Sequence, residues 1–189
     1  RRPPRSTPFP TRRSSDLLAK GTDINEKNEK YQQTALQIAA YHEQSDTVKF
    51  LIRKGADIHA TMKNGRTALH IAAFYGDSKS VSYLLRADAK INAKGNDGIT
   101  PLHRAAEGGD VETIKMLLAN GAKINARSND YSTPLHIAAY IGNVNATEIL
   151  IKKGADLNAR NADGNTPLQE AQDAEEVKTI QALESLASR

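Results

Sequence analysis

Three histidines stand at equal intervals: His70, His103 and His136, each 33 residues from the next. Imidazoles at regular spacing are candidates for metal ligation or proton transfer. The spacing itself decides between these and a structural role. If each histidine belongs to one copy of a repeated helical unit, packing holds neighbours roughly 10 Å apart. Zinc ligands must converge on one ion at about 2 Å. No shared metal site is expected from them, and His42 and His59 fall at other positions and join no cluster. Gly108-Gly109 is too short for a phosphate-cradling loop and follows a predicted helix rather than a strand. No serine sits in a G-x-S-x-G elbow. The chain has no cysteine, so thiol catalysis, disulfides and cysteine–zinc sites are excluded. The carboxylates are scattered over predicted solvated faces. No catalytic residue, metal or cofactor is expected, and the chain reads as a non-enzyme.

The remaining classes are bounded by composition. The chain has 189 residues, 39% hydrophobic and 25% charged, with a formal charge of +4. The longest apolar run, Ile137 to Gly142, is six residues, so no membrane span is expected. Residues 1–16 carry Arg1, Arg2, Arg5, Arg12 and Arg13 against Asp16, which is 5 − 1 = +4. The remainder holds 26 − 5 = 21 basic and 22 − 1 = 21 acidic residues and is neutral. Without that first segment the basic footprint of a nucleic-acid binder is missing. Lys94, Arg127 and Arg160 recur at one position, but Asp97, Asp130 and Asp163 follow three residues later and largely cancel them. No nucleic-acid partner is expected.

The first segment has no apolar periodicity. Phe9 to Leu17, FPTRRSSDL, resembles one translation frame of a common sequencing-library adapter, through the codons TTC CCT ACA CGA CGC TCT TCC GAT CTN. Residues 1–17 are therefore expected to be non-native and disordered, and the gene to have been read from a fragment.

What positions the histidines is an internal repeat. Thr34, Thr67, Thr100, Thr133 and Thr166 are each 33 residues apart and open the phrases TALQIAA, TALHIAA, TPLHRAA, TPLHIAA and TPLQEAQ. Leu51, Leu84, Leu117 and Leu150 recur at the same period, followed by KGADIHA, ADAKINA, NGAKINA and KGADLNA. Thr133 can cap a helix whose first residue is Pro134. Leu135, Ala138 and Ala139 then share one face, and Gly142 ends the helix. A second helix is predicted from about Asn143 to Lys153, with Ile149, Leu150 and Ile151 inward and Gly154 as its left-handed stop. The stretch to Asp163-Gly164 reads as an extended finger around a turn. One helix pair cannot bury its apolar face alone, so stacked copies must share a continuous core.

The T-P-L-H-x-A-A and G-A-D-x-N-A phrases and the 33-residue period resemble the ankyrin repeat, from Leu18 to about Leu186. The resemblance implies an all-α repeat solenoid of antiparallel helix pairs joined by β-hairpin fingers. It also implies a concave groove that binds other proteins, and histidines that bridge adjacent repeats by hydrogen bonds. The expected organisation is the end of a truncated repeat and its finger over 18–33, then four full repeats over 34–189 with a capping repeat from 166. The polar last copy (Gln172, Glu175, Glu176) fits a cap near a natural C-terminus. Leu36, Ala39 and Leu51 are expected to face a missing neighbour. Asp88, Tyr131 and Glu43-Gln44 replace glycines of the pattern.

Tyr41, Phe74, Tyr75 and Tyr140 fall just after the paired alanines, on the stretch that borders the groove in the ankyrin arrangement. Aromatic residues supply large contact area at interfaces. With Ile141 they form the expected partner-binding stripe. Lys63, Asn64, Arg66, Asn96, Ile99, Asn129, Tyr131, Ser132 and Asn165 on the fingers would set specificity. Phe50 and Tyr83 share a second-helix position and read as packing residues. The expected function is a non-catalytic, monomeric, cytoplasmic scaffold for a protein partner. The alternative is the recruiting arm of a larger enzyme or effector.

Overall fold

The computed structural model describes residues 23 to 187. The expectations for residues 1–17, and for the part of 18–33 before residue 23, lie outside the described residues. Ten helices form five antiparallel pairs: α1 (Ala35–Tyr41) with α2 (Ser45–Arg53), α3 (Ala68–Tyr75) with α4 (Ser78–Arg86), α5 (Pro101–Gly108) with α6 (Val111–Ala119), α7 (Pro134–Ile141) with α8 (Val144–Lys152), and α9 (Pro167–Asp173) with α10 (Val177–Ala187). The odd-numbered helices stack on one another as an inner layer and the even-numbered helices as an outer layer.

Each inner helix starts where its threonine stops being helical. Thr34, Thr67, Thr100, Thr133 and Thr166 are extended N-caps, and proline takes the first turn of α5, α7 and α9. The inner layer can pack tightly because its buried face is alanine. Ala72, Ala73, Ala105, Ala106, Ala138 and Ala139 are fully buried, interleaved with Leu69, Leu102 and Leu135. Approach is closest between α3 and α5. A Cβ at Gly108 would collide with the Phe74 carbonyl, so only glycine lets these two helices meet there.

Every described residue with positive φ lies in one of three rows. The stop of the inner helix holds Glu43, Gly76, Gly109, Gly142 and Glu175. The stop of the outer helix holds Gly55, Asp88, Gly121 and Gly154. The finger turn holds Gln32, Gly65, Gly98, Tyr131 and Gly164. The backbone thus keeps its left-handed turns even where the sequence has lost glycine, at roughly 1–2 kcal/mol for each such residue. The repeat geometry dictates these conformations and overrides local preference.

Two expectations are corrected. No strand forms among the described residues, so each finger keeps only the turn of the expected β-hairpin. Each finger is a turn closed by two backbone bonds. Met62 N–H donates to the Arg66 carbonyl and Gly65 N–H to the Met62 carbonyl (both 2.9 Å). The same two bonds join Gly95 to Ile99 and Gly98 to Gly95 (both 2.9 Å), Ser128 to Ser132 (3.0 Å) and Tyr131 to Ser128 (3.1 Å), and Asn161 to Asn165 and Gly164 to Asn161 (both 3.1 Å). No further rung extends the turn into a ladder, and the next amides bond sideways instead. Asn96 N–H donates to the Asn64 carbonyl, Asn129 to Asp97, and Ala162 to Asp130, so adjacent fingers are tied in series. Leu36, Ala39 and Leu51 do not open toward a missing neighbour. All three are buried, because α1 packs against both α2 and α3.

Candidate functional site

The three histidines are the joints of the stack. Nδ1 of His70, His103 and His136 lies 3.2 Å from the backbone N–H of its own N-cap threonine, and Nε2 lies 3.0 to 3.1 Å from the carbonyl of Ile99, Ser132 or Asn165 in the next finger. A carbonyl only accepts, so Nε2 carries the proton and Nδ1 accepts. Gln37 and Gln169 occupy the same position. Gln37 Oε1 accepts from Thr34 N–H (2.9 Å) while its Nε2 donates to the carbonyls of Ala60 and Arg66. Burial holds His70 and His103 neutral and lowers each pKa to about 4, against the opposing pull of the carbonyl bond. His136 is lowered for the same reason. Among the described residues no group of three or more His, Cys, Asp or Glu could hold a metal.

Between the inner helices and the fingers of the first copies runs an open groove of about 870 Å³. Tyr31, Ile38, Tyr41, Met62, Ile71, Phe74 and Tyr75 line its apolar walls. The rings are mutually braced. Tyr75 meets Tyr41 edge-on at 5.2 Å and Phe74 at 5.0 Å. Tyr41 is 42% exposed, whereas Phe74 and Tyr75 are half-buried and Tyr75 packs against the core. Burial, and then its hydrogen bond with Tyr41, raises the Tyr75 phenol above its ordinary pKa. Tyr140 and Ile141 are exposed, at 58% and 42%, but they stand two repeats beyond Phe74 and Tyr75 and do not line this groove.

The expected finger residues divide. Asn64 and Arg66 line the groove. Lys63 and Asn129 are exposed, and Tyr131 is exposed beneath the Arg127 guanidinium. Asn96 and Asn129 also tie fingers together, each amide donating to the carbonyl one repeat back, Lys63 and Asn96 respectively. Ile99 and Asn165 are partly buried and give their carbonyls to the histidine joints. Ser132 does not reach the surface. It is 6% exposed, its hydroxyl donates to Asp130 and its carbonyl accepts from His103 Nε2, so it braces the finger. Phe50, expected in the packing, stands on the outer layer at 36% exposure.

Two contributors escape the sequence reading. Tyr31 lies in the first finger, where an extra residue shifts the register. Arg104 occupies the inner row that is isoleucine in three other copies (Ile38, Ile71, Ile137). Its side chain is only 16% exposed, its guanidinium covers the Phe74 ring at 5.2 Å, and it pairs with Glu107. Aligning the copies column by column would have exposed that break. The basic row of Lys94, Arg127 and Arg160 is spent inside the fingers: Lys94 donates to the Arg127 carbonyl and Arg160 to the Gly164 carbonyl. No described helix is long and apolar enough to cross a membrane.

Comparison with known proteins agrees with this geometry. The family model for ankyrin repeats (3 copies) matches residues 15–95, 55–128 and 102–187. No curated protein matches the chain. Ankyrin repeats are generally protein–protein interaction modules and are typically non-catalytic. A 33-residue period, capped helix pairs stacked in two layers, bridging histidines and a family match across most of the sequence lead to one conclusion: the chain belongs to the ankyrin-repeat family.

Proposed function

We propose that this chain is a non-catalytic scaffold that binds a protein partner across the inner-helix groove and the fingers. The observation that carries this is the aromatic groove itself. Tyr31, Tyr41, Phe74 and Tyr75 converge on one concave surface beside the finger residues Asn64 and Arg66. Large rings held rigid by their neighbours bind at low entropic cost. Tyr140 and Ile141 offer a second, separate apolar contact farther along the stack, and Lys63, Asn96, Asn129 and Tyr131 supply a rim on the fingers.

The test is an alanine series against a captured partner. Tyr41→Ala and Tyr140→Ala remove exposed rings, so the fold should survive. Each is expected to weaken binding, with the Tyr41 change costing about 2 kcal/mol if it is a hot spot. Lys115→Ala with Lys152→Ala on the outer layer should leave affinity unchanged. Wild-type affinity in the groove variants would place the contact elsewhere.

A further inference from the structure

The groove is not electrically bland. Its lining holds Lys30, Arg66 and Arg104 against Glu29. The two arginines come from different repeats and are only partly satisfied. Arg66 donates through Nη2 to Asp97 at 3.2 Å, while its Nε is buried and makes no hydrogen bond among the described residues. Arg104 bonds Glu107 through Nη1 and lies over the Phe74 ring. Asp97 and Glu107 stand outside the lining. A guanidinium presents five N–H donors in a planar fork that matches a carboxylate. Burying an arginine in a row that is isoleucine in three of the other four copies lowers its pKa, against the pull of Glu107. A second carboxylate at this point would offset that cost.

We propose that the segment bound in this groove carries an internal Asp or Glu that engages Arg66 and Arg104, flanked by apolar side chains that pack on Tyr41, Phe74 and Tyr75. This rests on the groove being the binding surface. The carboxylate is assigned to an internal side chain because apolar groups stand on both sides of Arg104 along the inner layer, Tyr41, Phe74 and Tyr75 in the groove and the separate exposed pair Tyr140 and Ile141 beyond it, so a bound segment can meet apolar contacts before and after the acid.

The probe is a library of random dodecapeptides displayed on phage and selected on the full chain. Binders that compete with one another are then synthesised and titrated. The expected result is enrichment of Asp or Glu beside aromatic or aliphatic residues. Replacing that residue by Asn or Gln in the peptide should weaken binding about tenfold or more, the strength of a charge-assisted contact. Arg104→Ile, which places there the residue of three other copies, should produce a similar loss, and Tyr41→Ala should weaken the same peptides. Peptides that lose binding on Tyr41→Ala yet tolerate both the Asp/Glu change and Arg104→Ile would overturn the carboxylate assignment while leaving the groove as the binding surface. Peptides that lose binding only on C-terminal amidation would overturn the internal placement. Binders indifferent to Tyr41→Ala, or no binders at all, would overturn both readings. The peptide-side substitution keeps the test valid should Arg104→Ile fail to fold.

Discussion

His103→Gln at two pH values isolates what the buried histidines do. In the folded chain His103 is held to a pKa of about 4 by burial, below the ordinary value of 6.5. The unfolded chain therefore binds a proton that the folded chain refuses. Stability is fully present above pH ~6.5, falls as the pH drops toward ~4, and levels off below that. Going from pH 7 to pH 5 covers most of this window and costs about 2 kcal/mol for one such histidine. His70 adds a similar loss, and His136 acts in the same direction. Glutamine cannot titrate, but Gln37 shows that it makes the same bridge, accepting from its N-cap and donating to the next finger. His103→Gln should therefore be near neutral at pH 7 and should remove about 2 kcal/mol of the wild-type loss between pH 7 and pH 5. Urea melts of both proteins at the two pH values give this double difference directly. An identical pH dependence in the two proteins would refute the buried neutral tautomer. A large loss at pH 7 would instead refute the equivalence of the two side chains.

Two further substitutions test the core. Leu102→Ala truncates a side chain that is 1% exposed and should cost roughly 2–5 kcal/mol; Asn96→Ala loses only exposed finger bonds and should cost about 1 kcal/mol or less. Similar denaturant midpoints for both would invert the assignment of inside and outside. Thr147 sits fully buried where the other copies have Val48, Val81 and Ile114, and its hydroxyl makes no hydrogen bond among the described residues. Thr147→Val should stabilise by about 1 kcal/mol, and a loss of thermal stability would show that the hydroxyl is satisfied.

The period made most of the fold legible. Once the threonines align at 33 residues, helix starts, alanine faces and left-handed stops follow, because each is a local rule repeated in phase. Asp88 and Tyr131 are read correctly as glycine replacements since register, not propensity, fixes their backbone. Other features are tertiary. That the fingers stop at the turn could not be foreseen, since the amides that follow it, at Asn96, Asn129 and Ala162, bond to the neighbouring copy. Ser132 looked like a fingertip residue by position alone, but its neighbours Asp130 and His103 draw it inward. The groove itself is what the ankyrin resemblance implies, with the aromatic stripe on its border. Its division into a braced cluster at Tyr41, Phe74 and Tyr75 and a separate exposed pair at Tyr140 and Ile141 does not follow from that resemblance, because glutamate and Gly108 interrupt the stripe in the copy between them.

The central claim is that the partner lies on the inner face. Photo-crosslinking tests it most directly, because three exposed aromatic positions can each take a photoreactive phenylalanine with little change in shape. Tyr41 and Tyr140 sample the inner face and Phe50 the outer layer, at 42%, 58% and 36% exposure. On irradiation of the complex, adducts with the partner should form from positions 41 and 140 and not from position 50. Adducts from position 50 alone would put the partner on the outer layer and contradict the account.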